Sequence, residues 1–178
     1  KRALICLGHL GEQIETYFGD GSRFDIEITY SYEDKPLGTA GALKNAETLL
    51  GDRVFTIYGD SYIAPDLDDI WNVFRSKNKL GLMTVYKNNN LYDSSNTVIN
   101  WDMVTRYDKR NKTPEMACIE YGINLFRKDM LARISKNYFY ELGDVFISLI
   151  ADNELLAYEV KERFYEIGSP SGLQDFIS

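Results

Sequence analysis

The sequence predicts an α/β fold built on a largely parallel sheet, and three observations lead there. Short apolar runs of strand length alternate with segments whose apolar residues recur at every third or fourth position. Glycines fall where those patterns stop, as at Gly51 and Gly59. No internal repeat, low-complexity tract or Pro/Gly/Ser-rich linker interrupts the 178 residues, a length that suits one domain with a sizeable core.

Ala3 to Leu7 is a continuous apolar run that reads as a buried strand. Gly11 to Phe18 follows as a short helix with Ile14, Tyr17 and Phe18 on one side, and Ile26 to Tyr32 alternates as a second strand. Thr39 to Leu50 is predicted helical, since Ala40, Leu43, Ala46, Leu49 and Leu50 share a face and Gly51 stops it. Val54 to Tyr58 is the next buried strand, ending at Gly59-Asp60. Asp68 to Lys77 is a helix that buries Ile70, Trp71, Val73 and Phe74, and Leu80 to Tyr86 is another strand. Beyond it the pattern loosens into a more mixed sheet, with strands at Val98-Ile99, Val104 to Tyr107 and Ile119 to Phe126 and a turn at Asn100 to Met103. Helices near Lys128 to Ile134 and Asp144 to Ala151 precede short strands at Leu156 to Val160 and Arg163 to Ile167, then a final helix.

The charge balance narrows the function classes. Twenty basic against 27 acidic residues give a net charge of −7, which argues against a nucleic-acid partner, because phosphate backbones need a basic face. An enzyme that uses nucleotides tolerates an acidic surface, since its contacts are local and a divalent metal supplies positive charge. His9 is the only histidine, which excludes mechanisms that need two. Cys6 and Cys118 lie among apolar neighbours and read as buried free thiols, consistent with a reducing cytoplasm. No apolar run has membrane-spanning length and nothing resembles a signal peptide, so the expectation is a cytoplasmic protein with no membrane partner.

In open α/β sheets ligands bind beyond the carboxyl ends of strands. That rule marks Glu33 to Gly41, Gly59-Asp60 and Glu166 to Pro170. In Pro36-Leu37-Gly38-Thr39-Ala40-Gly41 the glycines let backbone amides approach a flat or anionic ligand at a helix N-terminus. The bland alternative is a plain loop with Thr39 as helix cap. Asp60, at a strand's carboxyl end, suits a hard cation such as Mg²⁺ that also holds phosphate oxygens; alternatively it is a turn aspartate. Glu166 could share that metal, or be a surface acid before a helix capped by Ser169 with Pro170 in its first turn. Lys109, taken alone, is a solvated loop charge.

Taken together and in order, Tyr30-Ser31-Tyr32-Glu33…Pro36 to Leu43, Val54 to Asp60, Tyr107-Asp108-Lys109, Ile119-Glu120-Tyr121-Gly122-Ile123 and Tyr165 to Pro170 resemble the sugar-1-phosphate nucleotidyltransferases. The similarity is greatest to bacterial guanylyltransferases acting on mannose or heptose 1-phosphates, and it covers essentially the whole chain. The resemblance implies a Rossmann-like nucleotide-binding sheet flanked by helices, mostly parallel and mixed toward the C-terminal half. It implies transfer of a nucleotidyl group from an NTP to a sugar 1-phosphate with release of pyrophosphate, for polysaccharide or cell-surface glycan biosynthesis. On that basis Gly38 and Thr39 border the base and ribose, and Asp60 binds Mg²⁺ with Glu166 as its partner. Lys109 meets the sugar phosphate, while Glu120 and Gly122 border the sugar. Where relatives carry aspartate and an Ile-Gly-Thr-Pro segment, this chain has Glu166 and Ser169.

The family's first strand and its Gly-Gly-x-Gly-Thr-Arg loop find no counterpart here, and the chain starts at Lys1. The expectation is therefore a single nucleotidyltransferase domain, 1–178, without that strand and phosphate loop, and inactive by itself. GTP is the expected donor. A Glu33 carboxylate only accepts hydrogen bonds, and guanine presents N1–H and N2–H₂ as paired donors, whereas uracil and thymine suit an amide. A homo-oligomer is compatible with the sequence. The alternative function is a catalytically silent homologue that binds sugar nucleotides as a regulatory subunit. A glycosyltransferase is a weaker reading, because Asp60-Ser61-Tyr62 lacks the second acid of an Asp-x-Asp motif.

Overall fold

A computed structural model describes all residues, Lys1–Ser178. The chain divides into two compact units, Lys1–Asp52 with Lys128–Val145, and Arg53–Arg127 with Phe146–Ser178.

In the first unit, β1 (Arg2–Leu7) and β2 (Glu27–Tyr32) pair in parallel, with Arg2 opposite Glu27 and Leu7 opposite Tyr32. The crossover between them contains α1 (Gly11–Phe18), which has the predicted bounds. Helix α2 covers Gly38–Asn45, after which the chain tightens into a 3₁₀ turn at Glu47–Leu49. A helix through Leu50 was expected; spacings of three fit a 3₁₀ turn as well as an α-helix, so the apolar pattern does not show the change. Lys128–Arg133, expected as a helix, is likewise 3₁₀. Cys6 is exposed on β1 while Cys118 is buried. The expectation of two buried thiols therefore fails at Cys6, which keeps exposed surface although its Sγ lies 3.8 Å from the Ala42 carbonyl.

The second unit holds six strands in the order β3-β8-β5-β9-β7-β6. These are β3 (Arg53–Ile57), β5 (Gly81–Lys87), β6 (Thr97–Asn100), β7 (Met103–Tyr107), β8 (Cys118–Arg127) and β9 (Leu155–Val160). Only β5 and β9 pair in parallel; the other neighbours in that order run antiparallel. The α/β class holds, but the expected preponderance of parallel pairs does not. The strand–helix–strand unit β3, α3 (Leu67–Ser76), β5 gives two strands of the same direction, as its crossover helix predicts. β8 then enters between them in the opposite sense. A buried strand is apolar on both faces whichever way it runs, so its sequence carries no direction.

β8 is buried from Cys118 through Phe126. The core beside it comprises Ile70 and Phe74 of α3 with Leu82, Leu125 and Leu156, flanked by Phe55, Trp71 and Val73. Burial of Ile70 and Phe74 contributes about 1.5–3 kcal/mol each. Asp66 fixes the start of α3 by accepting from the Asp68 and Asp69 amides at 3.0 and 3.1 Å. Helix α4 covers Leu142–Ala151, two residues earlier than expected at its start. The strand expected at Arg163 to Ile167 reduces to β10 (Tyr165–Glu166), which pairs antiparallel with β4 (Ser61–Tyr62). Arg163 instead stacks on the rings of Tyr92 and Tyr165, at 3.8 and 4.5 Å from their centroids, and pairs with Asp175 of α5 (Pro170–Ile177).

Candidate functional site

In the second unit, the short β4–β10 ladder sets Glu166 opposite Ser61, and the Ile167 amide donates to the Asp60 carbonyl at 2.7 Å. Asp60 and Glu166 are thereby brought to the same place. A Cβ on Gly168 would lie 2.9 Å from Asp60 Cβ and 2.8 Å from Glu166 Oε1, so only glycine leaves both carboxylates undisturbed. Ser61 Oγ approaches Asp60 Oδ1 at 3.4 Å, and Ser169 Oγ donates to Glu166 Oε2 at 2.6 Å. Ser169 also caps α5, accepting from the Gly172 amide at 3.1 Å, with Pro170 in the first turn. Both parts of the alternative reading of this segment are thus real, and neither displaces Glu166 from Asp60. Glu166 further lines a groove of about 320 Å³ shared with Tyr92, Arg163 and Ser171.

Gly122 lies at the same end of the unit. Its φ of +100° is a conformation that other residues rarely adopt, and a Cβ there would stand 3.4 Å from Ser61 Oγ and 3.6 Å from the Tyr58 ring. Its carbonyl accepts from the Tyr58 amide at 3.3 Å. Lys109 Nζ lies 6.0 Å from the centroid of the same Tyr58 ring, at the outer limit of a cation–π contact. The exposed Lys109 loop is set by Asp108, which accepts from the Arg110 and Asn111 amides at 2.8 Å each.

Glu120 is 9% exposed. One oxygen accepts from the Gly122 amide at 3.1 Å and from Asn124 Nδ2 at 2.9 Å. Burial pushes its pKa up, against the opposing pull of the Asn124 hydrogen bond, the Lys109 charge and the Gly122 amide. Asp60, Lys109, Glu120, Gly122 and Glu166 therefore form one neighbourhood of the second unit. Sequence reasoning missed Asn124 and gave Gly168 no role of its own within the marked segment Glu166 to Pro170. An amide inside the apolar run Ile123-Asn124-Leu125-Phe126 was the available signal for the first.

The first unit contains Glu33, Gly38 and Thr39. Glu33 Oε2 accepts from the Leu37 amide at 3.2 Å, and Oε1 lies beside Gly8, 2.9 Å from where a Cβ would be. Gly38 has φ +73° and passes so close to Tyr140 that a Cβ would be 2.7 Å from its carbonyl oxygen. That carbonyl takes the Ala40 and Gly41 amides, at 2.9 and 3.0 Å. Those two helix-terminal donors are therefore committed to the chain itself, within the segment whose backbone amides were expected to approach a flat or anionic ligand. Thr39 does not cap its own helix, whose cap position is Leu37 with no side-chain bond. Its hydroxyl accepts from the Leu142 amide at 2.8 Å, at the start of α4, and donates to Glu141 at 2.7 Å. A wider depression on α1, lined by Glu12, Gln13, Thr16, Tyr17 and Arg23, includes none of the predicted residues.

The profile of the family described as Nucleotidyl transferase matches residues 1–177. The chain belongs to that family. It is 28% identical over 178 residues to UTP–glucose-1-phosphate uridylyltransferase of Synechocystis sp., covering 90% of this chain and 46% of that protein. It is 24% identical over 179 residues to D-glycero-alpha-D-manno-heptose 1-phosphate guanylyltransferase of Campylobacter jejuni, covering 99% of this chain and 78% of that one. The chain thus spans about half the length of the first relative. Among solved structures, the inositol-1-phosphate CTP transferase of T. maritima superposes with a TM-score of 0.79 at 16% identity, over 99% of this chain and 74% of that chain. That likeness establishes the fold. No helix is long and apolar enough to cross a membrane.

Proposed function

We propose that the protein carrying this chain transfers a nucleotidyl group from a nucleoside triphosphate to a sugar 1-phosphate, yielding a nucleotide sugar and pyrophosphate. The observation that carries the reading is the meeting of Asp60 and Glu166 over Gly168, in the neighbourhood that also contains Lys109, Glu120 and Gly122. Family membership and the relatives' names support it.

A phosphate oxygen of the sugar 1-phosphate attacks the α-phosphorus of the nucleotide. The new P–O bond forms as the bond to the β-phosphate oxygen breaks, and pyrophosphate carries away the electron pair. Two anions must approach, so charge neutralisation and positioning carry the catalysis. Lys109 offsets the charge of the incoming phosphate. Gly122, with no side chain, lets its backbone border the sugar, and Glu120 lies beneath it. The side chains of Asp60 and Glu166 both come up to Gly168, and a pair of carboxylates suits a hard divalent ion such as Mg²⁺ completed by phosphate oxygens. When bound, that ion supplies neutralising charge to the phosphates.

The proposal extends to GTP as donor, with Glu33 reading guanine and the Gly38–Thr39 backbone bordering the base and ribose. The hydrogen bond that the Leu37 amide donates to Oε2 orients the Glu33 carboxylate. The test is pyrophosphate release by the protein carrying this chain, measured with a panel of NTPs and sugar 1-phosphates in Mg²⁺. Turnover restricted to such pairs and lost in Asp60→Asn supports the reading. Tight binding of a nucleotide sugar with no turnover of any pair would assign the protein to the silent, regulatory class instead.

A further inference from the structure

β8 is not straight. Its register on β5 slips between Met83, opposite Asn124, and Val85, opposite Glu120. Tyr121, Gly122 and Ile123 therefore stand against Thr84 alone, whose hydroxyl donates to the Ile123 carbonyl at 2.6 Å. The surplus backbone forms a bulge, a device that re-aims a strand where function needs it. Here it brings Gly122 against Ser61 and Tyr58.

The two residues that bound the bulge reach across it and meet. Asn124 Nδ2 and the Gly122 amide both donate to Glu120 Oε1, at 2.9 and 3.1 Å. Asn96 Oδ1 holds the Glu120 amide at 3.0 Å. This polar group is expensive for its location. Asn124 is 1% exposed, and its Oδ1 is buried with no hydrogen-bond partner. An apolar pair would fill that interior without an orphaned acceptor.

We infer that Glu120 and Asn124 are positioning residues, a clamp across the β8 bulge that sets the Gly122 backbone against which the sugar 1-phosphate is held. The ligand's identity rests on the nucleotidyl-transfer reading; the clamp rests on the geometry alone. Glu120 acts through Gly122, and an acceptor oxygen, not a negative charge, is what the bulge requires.

The experiment pairs amide hydrogen exchange at Gly122 with kinetics of the protein carrying this chain. Glu120→Leu is expected to speed Gly122 exchange by about tenfold or more and to raise KM for sugar 1-phosphate by about the same factor, with KM for the NTP within about threefold; each decade corresponds to about 1.4 kcal/mol. Glu120→Gln, which keeps an oxygen acceptor in place, recovers most of both losses. Glu120→Gln as impaired as Glu120→Leu would show that the charge itself meets the substrate and overturn the clamp. Should Glu120→Leu fail to fold, Asn124→Ala reads the same clamp: faster Gly122 exchange and a raised KM support it, and wild-type values for both overturn it. A wild-type protein with no turnover removes the functional reading, while Gly122 exchange in the variants still decides the clamp.

Discussion

Asp60 and Glu166 meet over Gly168, where a single added Cβ would lie 2.9 Å from one side chain and 2.8 Å from the other. The two residues are separated by more than a hundred positions, and the shortest possible strands, β4 and β10, bring them together. The ladder is small, but the glycine between the carboxylates makes their spacing sensitive to one methyl group.

Asp60→Asn keeps shape and removes charge. It is expected to lower kcat by about a hundredfold or more, the scale of losing a preorganised charge at a transition state, with the thermal midpoint unchanged. Gly168→Ala tests the spacing without touching either acid: because Gly168 is exposed, stability stays near wild type, while the Mg²⁺ concentration for half-maximal turnover rises about tenfold, or about 1.4 kcal/mol. Pyrophosphate release across a Mg²⁺ series reads both. Wild-type metal dependence in Asp60→Asn would make Asp60 a turn residue only.

Glu33→Gln places a donor where only acceptors stood. A lost charged hydrogen bond is worth about 1.5–3 kcal/mol, so the ratio of kcat/KM for GTP over UTP should fall roughly ten- to a hundredfold. The ratio cancels general damage to the fold. An unchanged ratio would move base choice to the backbone around Gly38 and Thr39.

Glu120 gives the stability a pH signature. Burial raises its folded pKa above the unfolded value of about 4.3. The folded state then binds the proton more tightly, so this group's contribution is fully present below the unfolded pKa and is lost as pH rises through the folded one. Wild type should therefore lose stability relative to Glu120→Gln over that interval, measured by urea unfolding at successive pH values. Parallel curves for the two proteins would contradict it.

Gly38→Ala forces a side chain into φ +73° and a 2.7 Å approach to the Tyr140 carbonyl, with an expected loss of about 1–3 kcal/mol. Thr39→Val removes the acceptor for the Leu142 amide and is expected to cost about 1 kcal/mol, as for a lost helix cap. Thr39→Ser should restore it. Denaturant midpoints at constant slope check all three.

The elements were legible in the sequence wherever one periodicity held over enough residues. α1 took its predicted bounds, and α3 buried Ile70 and Phe74. Partnership between strands was not legible, because a period of two records which face is buried and nothing about the neighbour or its direction. That is why β8, expected only as a strand of a more mixed sheet, gave no sign that it would enter antiparallel between β3 and β5. Asp60 and Glu166 were singled out from their positions at strand ends, and Lys109, Glu120 and Gly122 from resemblance alone; all five fall in one neighbourhood of the second unit. The bland alternative for Thr39, a cap on its own helix, fails in favour of a bond at the start of α4, because its partners lie 102 and 103 residues further on. The only signal for Asn124 was an amide in an apolar run; its place at the edge of a bulge was not legible, because a bulge is a property of two registers and one strand's sequence shows neither.

The position of β8 also has a consequence in time. β5 leaves the ribosome after β3, yet the strands that flank it, β8 and β9, are both encoded later. About 40 residues separate Lys87 from Arg127, so at about 5–20 residues per second both edges of β5 stay unpaired for on the order of 2–8 seconds. During that interval Leu82, Met83 and Val85, each fully buried in the finished fold, sit on a strand with two open edges. The nascent chain is most exposed to mispairing with a neighbour on the same message at that stage, and slower synthesis across residues 88–127 would lengthen the hazard.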